Sequence, residues 1–218
     1  MEIMMRFPAK KNRILAFKFL TLLVVASLVS AAPRLSYADI DADFETGKQA
    51  FVRGDLFSAM EPLRRAADAG HAQAQSMLAY ILDLGEFNVE AYRYYSLSAA
   101  QDYPEGIYGL ASMTLSGDGV ERDVEQGYRL LKRAAALGHE RSWNALADGL
   151  LNGTLAPPTD QPDAESILMH SAESGYPRSI DALSMAYSKG MLGIAPDPDK
   201  AALWSKKAGD AKARAANK

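Results

Sequence analysis

The sequence predicts an all-α protein, an α/α solenoid of about five stacked helix-turn-helix repeats. Three observations carry that prediction. First, one short segment recurs: Ala66-Ala67-Asp68-Ala69-Gly70-His71, Ser98-Ala99-Ala100-Gln101-Asp102-Tyr103, Ala134-Ala135-Ala136-Leu137-Gly138-His139 and Ser171-Ala172-Glu173-Ser174-Gly175-Tyr176, with a worn copy at Ala208-Gly209-Asp210-Ala211-Lys212. The intervals between these anchors are 32, 36, 37 and 37 residues, the length of a two-helix unit. Second, small residues stand at fixed offsets: Ala59, Ala91, Gly127, Ala164 and Ala201 before each anchor, and Ala74, Gly106, Ser142 and Ser179 after it. Third, each later copy carries a leucine–small pair (Leu78-Ala79, Leu110-Ala111, Leu146-Ala147, Leu183-Ser184) and closes on Gly85, Gly117, Gly153 or Gly190.

Residues 1–38 read as an export signal. Lys10, Lys11, Arg13 and Lys18 precede the apolar run Phe19 to Val29, and small residues follow at Ser30-Ala31-Ala32 and at Ser36-Tyr37-Ala38. Eleven apolar residues are too few to cross a hydrocarbon core, which needs about 20, and this order of features fits a cleaved signal. Cleavage is expected after Ala38, because Pro33 hinders the earlier site. The alternative is an uncleaved anchor, lengthened by Ile14 to Phe17 if Lys18 snorkels. The segment also distorts the net charge of −3: it holds six basic residues against Glu2 alone, so residues 39–218 carry about −8. An acidic body of that kind repels phosphate backbones and anionic lipid alike, so neither nucleic acid nor a membrane span after cleavage is expected. The chain has no cysteine, which excludes disulfides and leaves stability to the core.

The expected solenoid spans residues 39–213, in units of about 44–71, 72–103, 104–139, 140–176 and 177–213, followed by a short tail at 214–218. Each unit holds two apolar stripes of helical period separated by glycine and a polar loop. In the helix after each anchor, the small residue, the leucine–small pair and Leu82, Thr114, Leu150 or Tyr187 fall on one face. Small side chains there let a neighbouring helix approach closely. Asp123, Asp160 and Asp197 stand where the second helix of a unit begins, so their carboxylates can accept from free backbone N–H groups. Prolines at 157, 158, 162, 196 and 198 fall in loops or first turns, where they are tolerated. Copy two lacks the aspartate and has a shorter loop, so a tighter turn is expected there. A pair of this size cannot bury its apolar face alone, and stacking gives one continuous core in a curved, right-handed array.

The stretch Leu110 to Asp123 with its Gly117-Asp118-Gly119-Val120 turn, closed by Leu130 to His139, resembles a Sel1-like repeat, as does Trp204 to Ala208 after Asp197 and Ala201. Copy one, Gly47 to Asp55 with Ala59, is similar to a tetratricopeptide repeat. The resemblance covers nearly all of residues 39–218. It implies an α/α solenoid used for protein–protein contact, often in bacterial envelopes and signalling, and names no partner. Copy four departs from the pattern by its extended loop Leu155 to Asp160, and copy one by lacking the leucine–small pair.

Catalytic signals are weak. His71 and His139 occupy a recurring position that Tyr103 and Tyr176 fill elsewhere, which points to packing. His170 stands alone, and three dispersed histidines without cysteine give no readable metal set. Gly117-Asp118-Gly119 lacks the Lys-Ser/Thr of a phosphate loop. No Ser-x-x-Lys occurs after residue 38, and no Gly-x-Ser-x-Gly occurs at all. No cofactor is implied.

The more informative residues lie beside the buried stripe of each first helix, on the concave face if the unit resembles a tetratricopeptide pair. The expected partner-binding set there is Tyr80, Tyr108, Arg141, Asn144, Asp148, Arg178 and Asp181, from a face that also holds Gln73, Glu105, Ser76, Ser112 and Met185. Tyrosine, asparagine and arginine suit an interface better than the lysine and glutamate of a wet surface. The function expected is a non-catalytic scaffold, periplasmic or secreted, that binds a protein or peptide in envelope signalling or complex assembly. Two other readings stay open at this point: a hydrolase of cell-wall polymer or β-lactam, and a glycan binder stacking sugars on Tyr80, Tyr108 and Trp143. On the second helix of copy two, Tyr94 stands at a core position, and Tyr92 and Tyr95 share a face expected to pack on the next unit, the alternative being an exposed aromatic patch.

Overall fold

The computed structural model describes residues 36–155 and 164–216. The apolar run expected to be part of an export signal, and the copy-four loop with Asp160 and Pro157, Pro158 and Pro162, lie outside the described residues. Ten helices and no strand are present among those described: α1 Tyr37–Val52, α2 Leu56–Asp68, α3 Ala72–Leu84, α4 Asn88–Ala99, α5 Pro104–Ser116, α6 Val124–Ala136, α7 Glu140–Leu151, α8 Ala164–Glu173, α9 Pro177–Lys189 and α10 Pro198–Ala216. In chain order they form five successive helix pairs. From α2 onward each helix packs on the next, and α3 also meets α5 as α7 meets α9. The last helix runs to Ala216, so the tail expected from residue 214 begins later than the sequence suggested. The first hairpin likewise begins at Tyr37, ahead of the expected residue 44.

The local chemistry explains the boundaries. Asp55 Oδ1 accepts from Ser58 N at 3.1 Å, Asp123 Oδ1 from Gln126 N at 2.8 Å, and Asp197 Oδ1 from Asp199 N and Lys200 N. Each carboxylate satisfies N–H groups that a helix start leaves open. Copy two has Phe87 at this point with no side-chain cap, and only three residues separate α3 from α4. That tightness has a backbone consequence. Gly117 and Gly190 end their helices at φ 91° and 71°, but Gly85 stays at φ −88° and the left-handed turn passes to Glu86 at φ 62°. The closing glycine of copy two therefore does not serve as its left-handed cap. At the far ends, Gly70, Gly138 and Gly175 take φ near 90°, and Asp102 replaces that glycine at φ 56°.

The repeat stripes are the core. Ala59, Ala91, Gly127 and Ala164 are buried, as are Ala74, Gly106, Ser142 and Ser179. So are Leu78, Leu110, Leu146 and Leu183 with Leu82, Thr114, Leu150 and Tyr187. Tyr94 is buried at its core position, and Tyr95 is 5% exposed with its ring on the next unit. The core is not uniform, however. Its buried residues form two clusters that meet inside copy three: Ile107, Leu110 and Met113 belong to the first, Ala111, Leu131 and Ala135 to the second. Tyr108 and Leu130 are half-buried and pack against both. One apolar core with a pinch at copy three replaces the even one expected.

Candidate partner-binding groove

A groove of about 520 Å³ lies along the first helices of copies two and three, over the place where the two clusters meet. Its floor is Tyr95, whose ring sits against Gly109: a Cβ there would stand 2.5 Å from Tyr95 Cδ1, so only glycine leaves room for this approach. One wall is Met77 and Tyr80 on α3, with Phe51 of α1 edge-on to Tyr80 at 5.8 Å between ring centroids. Tyr108 and Ser112 on α5 form the other. Tyr80 is 45% exposed, so its ring is open to a ligand. Three of the seven residues expected from sequence, Tyr80, Tyr108 and Arg141, are brought together here.

The two ends of the groove differ in charge. At one end Glu105 is bonded to Arg141 and, at 3.0 Å, to His139 Nε2. The hydrogen bond with His139, assisted by Arg141, holds the Glu105 carboxyl below the ordinary glutamate range. Arg141 also lies 5.2 Å from the Tyr108 ring centroid, and His139 packs on the same ring at 4.5 Å. At the other end is Asp83, half-buried and without a hydrogen-bonding or ion-pair partner among the described residues. Burial, and then the charge of Asp118, push its carboxyl up. Burial also pushes the hydroxyls of Tyr95 and Tyr103 up, so both remain neutral donors.

Ser142, His139 and Glu105 deserve comparison with a hydrolytic triad, since Ser142 Oγ lies 2.8 Å from His139 Nδ1 and Glu105 lies on the other ring nitrogen. A nucleophile must reach its substrate, and Ser142 is 0% exposed. It fills the small packing position that Ala74, Gly106 and Ser179 fill in the other copies. The equivalent His71 accepts from Ala74 N at 3.1 Å and stacks on Phe44, so this histidine caps and packs the helix that follows. Among the described residues, no group of three or more His, Asp or Glu side chains could hold a metal ion.

The remaining expected residues are bonded within the array: Asp148 and Arg178 join copy four to copy five, while Asn144 and Asp181 each tie together the two helices of their own copy. Asp148 bonds to Arg178 and accepts from Tyr176 Oη at 2.7 Å, while Arg178 also reaches Asn152 at 3.0 Å. Asn144 accepts from Ser171 Oγ at 2.8 Å, and Asp181 pairs with Lys212 at 3.0 Å. Glu105–Arg141 and Asp148–Arg178 thus bridge successive units, and the Asn144 and Asp181 bonds close the hairpins of copies four and five. Ser76, expected on the open face, is buried. Trp143 stands outside the groove with its ring stacked on His170 at 4.3 Å, so it forms no common platform with Tyr80 and Tyr108. Sequence reasoning missed Asp83, Phe51, Met77 and the floor role of Tyr95. Asp83 was within reach: it continues the series Gln73, Ser76, Tyr80 by one helical turn.

Comparison with known proteins agrees with this architecture. The Sel1 repeat model matches residues 72–103, 104–139 and 177–212. A protective antigen of uropathogenic Escherichia coli with an SLR fold superposes with a TM-score of 0.65 at 25% identity, over 78% of this chain and 38% of the antigen. A Sel1 repeat protein from Oxalobacter formigenes superposes at 0.60 with 30% identity, over 70% of this chain and 45% of its own. The chain thus spans less than half the length of either. Among curated proteins no sequence matches.

Proposed function

Since the chain is a Sel1-like repeat protein, we propose that it is a non-catalytic scaffold that holds a peptide segment of another protein in the groove between α3 and α5. The carrying observation is the open aromatic lining of that groove, where exposed Tyr80 faces half-buried Tyr108 above a Tyr95 floor. Rigid aromatics with polar tips give large contact area at small cost in side-chain entropy, which is why they concentrate at binding hot spots. Farther along the row, Asp148 and Arg178 serve this reading by fixing the register of copy five on copy four, and Asn144 and Asp181 by tying the helices within each of those copies. Export fits the same reading: the basic, apolar and small-residue order of residues 10–38 directs the chain to the envelope or beyond, with cleavage after Ala38. No described helix is long and apolar enough to cross a membrane.

The test is selection of a random-peptide display library on the purified protein, repeated on a Tyr80→Ala/Tyr108→Ala variant whose far-UV circular dichroism matches the parent. Peptides enriched by the parent and lost on the variant support the groove. Equal enrichment moves the site elsewhere, and no enrichment overturns peptide binding. N-terminal sequencing of the protein recovered from its natural host checks export, with Asp39 as the expected first residue.

A further inference from the structure

Within the scaffold reading, on which this inference rests, we infer that the groove selects a basic side chain, an arginine of the bound peptide, with its guanidinium on the Asp83 carboxylate and its stem along Tyr80 and Tyr95.

Many carboxylates of the array are paired. Asp43, Glu90, Asp102, Glu105, Asp148, Glu165 and Asp181 each have a cationic partner from another helix or loop of this chain. Among the described residues Asp83 has none, although it is half-buried among aromatic rings, where an unpaired charge is costly. Its setting deepens the deficit. It stands in the last turn of α3, at the negative end of the helix dipole, and that turn carries no basic residue. The last turn of α5 carries none either. Asp118, just beyond α5, adds a second negative charge felt at Asp83, and its own contact is a neutral one, accepting from Ser116 Oγ at 2.5 Å.

No cation of the groove relieves this. Arg141 is the one basic residue in the lining, and it is held by Glu105 at the opposite end. Glu105 and Ser112 lie seven residues apart on α5, roughly 10 Å of helix rise, so the Arg141 end does not neutralise the Asp83 end. The lining therefore offers aromatic faces and one uncompensated carboxylate. That combination matches a guanidinium, which stacks on an aromatic ring and accepts a carboxylate in a planar, two-bond geometry. The chain uses the same stacking internally, with Arg93 4.2 Å from the Tyr94 ring centroid and Lys207 4.0 Å from that of Trp204. A partner carboxylate in this place would face Asp83, Asp118 and two helix C-termini. The volume lies within the usual range for ligand pockets, about 300–1,000 Å³.

The experiment extends the same selection to Asp83→Asn, which removes the charge at constant shape. Enriched peptides are expected to share arginine at one fixed position. The synthesised consensus should bind the parent about tenfold more tightly than Asp83→Asn, the change expected for a stacked, charge-paired guanidinium. Replacing that arginine with norleucine should cost the parent a similar factor and leave Asp83→Asn indifferent. Enriched peptides without a basic residue, or an arginine whose contribution survives Asp83→Asn, overturn the inference while the scaffold reading stands. Absence of any enriched peptide overturns both.

Discussion

Gly106→Ala is the substitution that most directly interrogates the packing beneath the groove. Gly106 lies on α5 at the small position facing Ser98 of α4, and a Cβ added there overlaps Ser98 Oγ and stands 2.5 Å from Ser98 Cβ. Carbon atoms in good contact sit about 3.5–4.0 Å apart, so the helices must separate by roughly 1 Å. Overpacking of this kind costs about 1–3 kcal/mol. Alanine returns up to ~1 kcal/mol of helix propensity at an interior position, and less near the start of a helix. The net loss is about 1–2 kcal/mol, or a Tm fall of roughly 2–8 °C for a chain this long. Gly127→Ala is the control. Its new Cβ meets Leu115 Cγ at 2.4 Å and Cδ2 at 2.6 Å, on a half-buried side chain that can swing, and the other copies carry alanine there. That variant should lie within about 0.5 kcal/mol of the parent, propensity offsetting the rotamer change. Urea denaturation followed by far-UV circular dichroism reads both, provided the m-values agree. A Gly106→Ala variant as stable as the parent would refute the close α4–α5 approach. Tyr95 lies three residues from Ser98 on the same helix, so that result would also undermine the groove floor.

Other consequences are smaller in scale. Glu105 is ionised more readily in the folded chain than at the ordinary glutamate value of 4.5, so its bonds stabilise above that pH and are lost as pH falls through the depressed folded value. Denaturation midpoints of the parent and Glu105→Gln should therefore differ at neutral pH and converge in acid. His71→Ala loses the bond from Ala74 N and the stack on Phe44, together about 1–3 kcal/mol in a denaturation titration. At Asp102, with φ 56° and a bond to Arg133, alanine should cost ~1 kcal/mol or more and glycine under ~0.5 kcal/mol, because glycine relieves the backbone as it forfeits the surface pair. Trp204→Ala empties a buried site at 4% exposure in the last hairpin and should lower stability by about 3–5 kcal/mol, seen as an earlier thermal transition.

Why the fold was so legible follows from repetition. Each unit repeats one packing problem, so Ala74, Gly106, Ser142 and Ser179 state a single constraint four times, and the structure buries all four. Features that occur once were harder to read. Glu86 takes the left-handed position that Gly54 holds in the equally short loop of the first hairpin, and a glutamate there does not announce the turn as that glycine does. The site was half legible. Tyr80, Tyr108 and Arg141 were found because a helical offset locates a face. The same offset cannot tell an open face from one closed by neighbours: Asp148 and Asp181 bond to side chains about 30 residues away. Asp83 marks the opposite case: it is half-buried like Glu105 in the same groove, yet among the described residues it has no ion-pair partner.

Tyr108 and Leu130 join two cores that would otherwise abut. That junction is the expected breaking point, and amide protons in copy three should then exchange through an opening that leaves the flanking hairpins folded. The groove runs across that breaking point, from Phe51 in the first hairpin to Arg141 in the fourth. An occupant there acts as a splint. It would tie the N-terminal and C-terminal halves into one cooperative body, and the free and occupied protein would then differ less in shape than in whether they come apart in two steps or one.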